Sequence, residues 1–313
     1  MMTRNECAQW FQQRNDFCIL THRRPDGDTI GSAAALCMGL RSLGKRAWVL
    51  ENPETTQRYG FLLADLTKET PDGEDTLVCV DVASPGMLPA AFEGLMERVE
   101  LRIDHHGSAT SFTKWELVDP ASASCAEIIW DLLCELGVAM DKAMAEAVYV
   151  GASTDTGCFR FANTTAHTFA AAAACAEAGG EIYRLNQVFF ETNTLSKLRM
   201  QSWIISNMKL FREGQCAIVA IPRAVEELLG VTEDDMDNIS NYPRTVAGVC
   251  MAATLRQTKR GETKLSVRAI PGWDAAEVCA HFGGGGHKGA AGATTQLSLE
   301  AVTAKLEEIM LKL

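Results

Sequence analysis

Eleven cysteines are spread over the 313 residues, yet no two stand closer than Cys125 and Cys134, and no C-x-x-C pair occurs. That spacing excludes the common structural zinc motifs, and the odd number argues against a disulfide framework. Cys18, Cys79, Cys216 and Cys250 lie in apolar segments and are expected as small buried thiols. No apolar run reaches the roughly 20 residues of a membrane span. The alanine-rich stretch 169–178 is short and is interrupted by Glu177. The first 16 residues mix charges with scattered apolar side chains and lack the apolar core of a secretory leader. A cytoplasmic protein without membrane attachment is therefore expected. Basic runs are scarce too. None exceeds a pair such as Arg23-Arg24 or Lys259-Arg260, and 29 Lys and Arg against 40 Asp and Glu leave a net charge of -11. Long nucleic acid requires a broad basic surface, so it is not expected as a partner. A small phosphate ester still fits, if metals and a few basic side chains supply local positive charge.

What is present is the composition of a folded protein, 47% hydrophobic, in a chain longer than one core usually serves. Short apolar runs bounded by turn residues predict buried parallel strands at 17–21, 47–50, 77–81 and 99–104. Helical periodicity is expected between or after them, at 29–43, 123–136, 141–153 and 165–178. This alternation predicts an α/β fold with a doubly wound parallel sheet. Gly179-Gly180 ends the last of these helices, and 181–211 reads as further helix. A second, smaller α/β pattern follows. It has strands at 216–221, 246–255 and 264–270, helices at 223–229, 232–240 and 273–281, then a glycine-rich segment, a strand near Thr294 and a final helix from Leu299. The expected division is a first domain at 1–190, a helical linker at 191–212 and a second domain at 213–313.

Ligands collect beyond the carboxyl ends of the strands in such sheets, and four clusters of metal-ligating residues stand there or in similar turns. His22, Asp26 and Asp28 form H-x3-D-x-D on a loop stiffened by Pro25 and freed by Gly27. Read alone, this is equally a turn plus a helix cap, with Asp28 or Thr29 capping. Asp81 closes a strand-like run, and by itself is an ordinary turn residue. Asp104-His105-His106 offers two imidazoles beside an acid. Asp155 lies in Gly-Ala-Ser-Thr-Asp-Thr-Gly and alone reads as a helix C-terminal turn. Taken together the clusters make a mixed His and carboxylate ligand set that suits Mn²⁺ best, and Mg²⁺ or Co²⁺ less specifically. Paired metals of this kind activate water and neutralise a phosphoryl group.

The last motif is Gly283-Gly284-Gly285-Gly286-His287-Lys288-Gly289-Ala290-Ala291-Gly292. It lacks the G-K-[ST] ending of a P-loop. Its glycines let backbone amides approach an anion, with His287 and Lys288 expected at the start of a short helix of small residues. Trp203, Trp273 and Tyr242 are expected to pack rather than to stack bases.

These residues resemble the DHH phosphoesterase superfamily. His22-x-x-Pro25-Asp26-Gly27-Asp28-x-x-Gly31-Ser32 matches its first motif, Asp81 the second, Asp104-His105-His106 the third and Asp155 the fourth, while 283–292 matches the GGGGH signature of its associated C-terminal domain. The two-domain length resembles the nano-RNase and 3′-phosphoadenosine-5′-phosphate (pAp) phosphatase branch. The resemblance implies two Mn²⁺ ions. One is held by His22, Asp26 and Asp81, the other by Asp28, Asp81, His105 and Asp155, with Asp81 shared. It implies that His106 assists at the scissile phosphate, that Asp104 orients His105, and that Gly284, Gly285, Gly286, His287 and Arg268 bind the substrate. The residues after Asp81, Val82-Ala83, depart from the polar residues often found there.

The function this implies is hydrolysis of short 5′-phosphorylated oligoribonucleotides, including pApA, to mononucleotides, with dephosphorylation of pAp to AMP beside it. The C-terminal domain would close over the site. Alternatives are a cyclic-di-AMP phosphodiesterase, a pyrophosphatase and a non-catalytic nucleotide-binding sensor. A homodimer is the base-rate expectation.

Overall fold

The computed structural model describes residues 1–107, 111–236 and 238–313. It divides into two compact units, Met1–Thr192 and Asn193–Leu313.

The first unit is built on a six-stranded sheet in the order β3-β2-β1-β4-β5-β6. Its strands are β1 (Asp16–Leu20), β2 (Arg46–Leu50), β3 (Thr67–Lys68), β4 (Thr76–Val80), β5 (Val99–Asp104) and β6 (Trp115–Val118). Every pairing is parallel. The strands read as unbroken apolar runs because both faces of the sheet are covered. Phe17 and Ile19 of β1 enter one core with Val78, Val80 and Ile103. The alternate residues Cys18 and Leu20 enter another with Cys79, Leu88 and Phe92. The strand order reverses between β1 and β4, and the crevice beyond their carboxyl ends is the place such a sheet reserves for a ligand.

Helices α1 (Arg4–Gln12), α2 (Gly27–Ser42), α3 (Cys125–Glu135), α4 (Lys142–Asp155), α5 (Ala166–Glu177) and α6 (Ile182–Asn186) complete the unit. Helix α2 begins two residues before the expected position. Its cap is Asp26, which accepts from the amides of Asp28 and Thr29, rather than Asp28 or Thr29. Two glycines allow a close helix crossing. A Cβ on Gly31 would lie 2.3 Å from the Ala147 carbonyl oxygen, and one on Gly151 would lie 2.4 Å from Ala126 Cβ and 3.0 Å from Asp28 Oδ1.

The second unit holds a mixed sheet in the order β11-β12-β10-β9-β8-β7. The strands are β7 (Lys209–Phe211), β8 (Cys216–Ile221), β9 (Met251–Gln257), β10 (Thr263–Ala269), β11 (Gly285–His287) and β12 (Ala290–Thr295). Helices α7 (Leu195–Asn207), α8 (Arg223–Leu229), α9 (Ala275–Ala280) and α10 (Leu299–Lys312) accompany it. Met200 and Ile204 of α7 are buried against Val219 and Ile221, so residues expected as linker belong to this unit's core. Trp203 and Tyr242 pack on the same cluster, and Trp273 on the core beneath α9 and α10.

Further expectations change. The segment 283–292 is a hairpin of β11 and β12, not a loop opening a helix. The small residues of β12 pair with β10, and a Cβ on Gly284 would meet the Gly292 carbonyl oxygen at 2.2 Å. The described part of 232–240 forms only short 3-10 turns, Asp234–Met236 and Ile239–Asn241. Cys250, just before β9, is half-buried, whereas Cys18, Cys79 and Cys216 are buried.

Candidate metal centre

The first unit gathers His22, Asp26, Asp28, Asp81, His105, His106 and Asp155 at the carboxyl edge of its sheet. Each comes from a different local device. His22 lies two residues beyond β1. Its Nδ1 donates to the Arg23 carbonyl oxygen at 2.8 Å, which turns Nε2 inward toward Asp26 and Asp81. Asp81 follows β4 directly and takes a left-handed φ of 59°. Such a conformation costs a non-glycine residue about 1 kcal/mol and points to function. Asp28 lies in the first turn of α2. Its carboxylate accepts from the amides of Cys125 (2.7 Å) and Ala126 (2.9 Å), so the N-terminus of α3 grips it with both donors. Asp155 is the last residue of α4.

The ligand atoms fall into three groups, each within 4.8 Å: His22, Asp26 and Asp81; Asp28, His105 and Asp155; and Asp81, His105 and His106. Asp81 joins them. Its Oδ2 faces His22 Nε2 at 3.4 Å, and its Oδ1 faces His105 Nε2 at 3.5 Å. His105 Nε2 is also 3.7 Å from Asp28 and from Asp155. These separations are longer than hydrogen bonds. They match ligand atoms placed about 2.1 Å from a common cation. Asp81 Oδ1 is buried without a hydrogen-bond partner. A buried carboxylate oxygen left so is costly unless a cation takes it. The residues present therefore fit the implied metals.

The charge state tells the same story. Burial, then the Asp81 and Asp155 carboxylates, pushes the Asp28 carboxyl well above its usual range. Burial and neighbouring carboxylates likewise push Asp155 up to about 7, against the pull of His105. Burial opposes charge on the imidazoles, yet the carboxylates overcome it. Asp81, Asp28 and Asp155 carry His105 up to about 10, and Asp26 and Asp81 carry His22 well above its ordinary value. Burial would also raise Asp81, but the His105 and His22 imidazoles beside it hold it far below the carboxylate range. Without metal, protons fill the role of cations.

Asp104 contributes no atom to these groups. Its Oδ1 accepts from the amides of His105 and His106 and from His106 Nδ1 at 2.8 Å. The ring it orients is therefore that of His106, not that of His105 as expected. His105 Nδ1 instead lies 3.4 Å from the Ser122 carbonyl oxygen. Beneath Asp104, the buried Arg102 guanidinium stands 3.8 Å from its Oδ2 and 3.3 Å from Glu116.

Three supporting residues escaped the sequence reading. Ser122 supports His105 through backbone alone, which no side chain signals. Asn52 donates to the His22 carbonyl and to Thr21 Oγ1. Asn163 donates to the carbonyls of Ala123 (3.0 Å) and Asp155 (3.2 Å), tying the α3 entrance to the end of α4. An Asn two residues beyond β2 was the available signal for Asn52, and no local signal marked Asn163.

In the second unit, Arg268 of β10 and His287 of β11 both lie opposite Ala290 of the intervening β12. Cross-strand neighbours share a face, so the two side chains flank a methyl group on one side of the sheet. Arg268 Nε donates to Asn241. Gly284 precedes β11 and Gly285 and Gly286 lie in it, Gly286 with a φ of 143°.

Residues 16–152 match the DHH family, N-terminal domain, and residues 221–312 the DHHA1 domain. A bifunctional oligoribonuclease and PAP phosphatase NrnA of Thermus thermophilus is 33% identical over 88% of this chain and 83% of its own length. The chain belongs to the DHH family. The bifunctional oligoribonuclease and PAP phosphatase NrnA of Bacillus subtilis is 27% identical over 74% of the chain and 75% of its own. Among solved structures, an exopolyphosphatase-related protein from Bacteroides fragilis has the same fold, with a TM-score of 0.84 at 23% identity over 99% of this chain and 95% of that one. Among the described residues of this DHH protein, no helix is long and apolar enough to cross a membrane.

Proposed function

We propose that this DHH protein is a metal-dependent phosphoesterase that hydrolyses short 5′-phosphorylated oligoribonucleotides to mononucleotides and dephosphorylates pAp to AMP. The observation that carries the reading is Asp81, one carboxylate with an oxygen turned to each of two ligand groups. His22, Asp26 and Asp81 would hold one ion, and Asp28, Asp81, His105 and Asp155 the other, with Mn²⁺ the best match to mixed imidazole and carboxylate donors. When bound, the ions lower the pKa of water and neutralise charge on the phosphoryl oxygens.

The chain's own residues do the rest. Asp104 fixes the His106 ring through Nδ1 and leaves Nε2 to donate to a phosphoryl oxygen. Burial disfavours charge on His106, but Asp104 and Asp81 raise its pKa above the ordinary value, which favours the protonated donor. Arg268 and His287, with the amides of Gly284 to Gly286, would hold the substrate's terminus. The NrnA names of the relatives support the choice of substrates.

The test is turnover of pApA, an RNA five-mer, pAp and cyclic-di-AMP with Mn²⁺, beside an Asp81→Ala variant. Cleavage of the first three, lost in the variant, is the expected result. Cleavage of cyclic-di-AMP alone would move the protein to cyclic-dinucleotide hydrolysis, and no turnover of any would sink the reading.

A further inference from the structure

The loop that carries the first ligands also carries two arginines that the proposed chemistry leaves unused. Arg23 and Arg24 stand between His22 and Asp26, and both are exposed while His22 and Pro25 on either side are buried. No hydrogen bond or ion pair joins either guanidinium to another side chain among the described residues. Elsewhere in this unit arginines are used structurally. Arg4 pairs with Asp119 and Asp131, Arg102 with Glu116, and Arg184 with Glu146.

The backbone of the pair is fixed although the side chains are not spent. The Arg23 amide donates to the Met87 carbonyl (2.6 Å), its carbonyl faces His22 Nδ1 (2.8 Å), and the Arg24 amide donates to Glu54 Oε2 (3.0 Å). Arg24 holds a left-handed φ of 49°. Glycine or asparagine is the ordinary residue for such a position, so an arginine here accepts strain of about 1 kcal/mol. The anchored loop thus presents two guanidiniums between the His22 and Asp26 ligand positions in a chain of net charge -11, an arrangement suited to an anion.

We propose that Arg23 and Arg24 form an anion subsite at the rim of the metal centre that recognises a second phosphate of the substrate, the one not being cleaved. Guanidinium is the group suited to this, because its planar fork pairs bidentately with phosphate oxygens. The subsite would make a doubly phosphorylated substrate, a 5′-phosphorylated dinucleotide or a nucleoside bisphosphate, preferred over the same ester with a single phosphate. This deepens the phosphoesterase reading and rests on it.

The test compares a dinucleotide with and without its 5′-phosphate, using the full chain loaded with Mn²⁺. The variants are Arg23→Gln, which keeps a polar stem, and Arg24→Gly, which removes the guanidinium while accepting the left-handed turn. Each is expected to raise KM for the phosphorylated dinucleotide about tenfold. Its preference over the unphosphorylated one should fall by the same factor, with kcat little moved. Arg23→Lys should recover part of the loss. An unaltered preference in the double variant would overturn the proposal. So would an equal loss on both substrates, which would make the pair a support for His22. If the unaltered protein cleaved neither dinucleotide, the phosphoesterase reading would fall first and this inference with it.

Discussion

Removing the metals should make the first unit's stability fall steeply with rising pH, and the sign follows from the trapped protons. His105 has a folded pKa of about 10 in the metal-free protein, against about 6.5 for an unfolded histidine. A raised folded value contributes stability that is complete below the unfolded pKa and is lost as pH rises through the folded one. Between pH 7 and 9 the folded state thus holds about one more proton than the unfolded chain. One proton costs about 1.4 kcal/mol per pH unit, so about 3 kcal/mol disappears across that window. Spread over a unit of 192 residues, Met1–Thr192, this lowers Tm by roughly 5–10 °C. His22, also raised, acts in the same direction. Asp155, raised to about 7, has already lost most of its share by then, and the depressed Asp81 changes only in strong acid. Bound Mn²⁺ takes the place of the proton, so the slope should vanish with metal, and apparent Mn²⁺ affinity should rise about tenfold per pH unit. Thermal scans at pH 7, 8 and 9, in chelator and in excess Mn²⁺, measure both. A chelated protein whose Tm is flat from pH 7 to 9 would refute the reasoning. So would a His105→Ala variant that kept the full slope.

Three further outcomes follow from the geometry. Asn163→Ala frees the α3 entrance from the end of α4 and should weaken Mn²⁺ binding about tenfold, as loss of an outer support to metal ligands does, readable by metal titration. Asp104→Asn keeps the shape but replaces the charged acceptor at His106 Nδ1, so kcat should drop by about 100-fold with KM little changed, in steady-state assays. Gly151→Ala forces a methyl group to 2.4 Å from Ala126 Cβ and 3.0 Å from Asp28 Oδ1, and chemical denaturation should show a loss of about 1–3 kcal/mol together with weaker metal binding.

Much of the architecture could be read from residue order. The apolar runs ending near His22, Asp81 and Asp104 announce strands buried on both faces, because a sheet covered on each side leaves no polar alternation. Ligand-type residues placed just beyond those ends point to the crevice at the strand reversal. The relation among the ligands was not legible in the same way. Asp28 is held by amides 97 and 98 residues away, and His105 leans on a carbonyl, and every residue carries these backbone groups whatever its side chain. Asp104 could serve either neighbour, and only the turn of the chain gives it to His106. The stretch 283–292 has the small residues of a helix and the glycines of a loop, yet pairing with β10 makes it a hairpin, since a long-range ladder outweighs weak local preference. Sequence by itself determined which chemical groups this protein owns and where along its strands they stand. Tertiary structure decided which oxygen of Asp81 faces which group, because that depends on a left-handed backbone angle and on chain crossings that residue order does not encode.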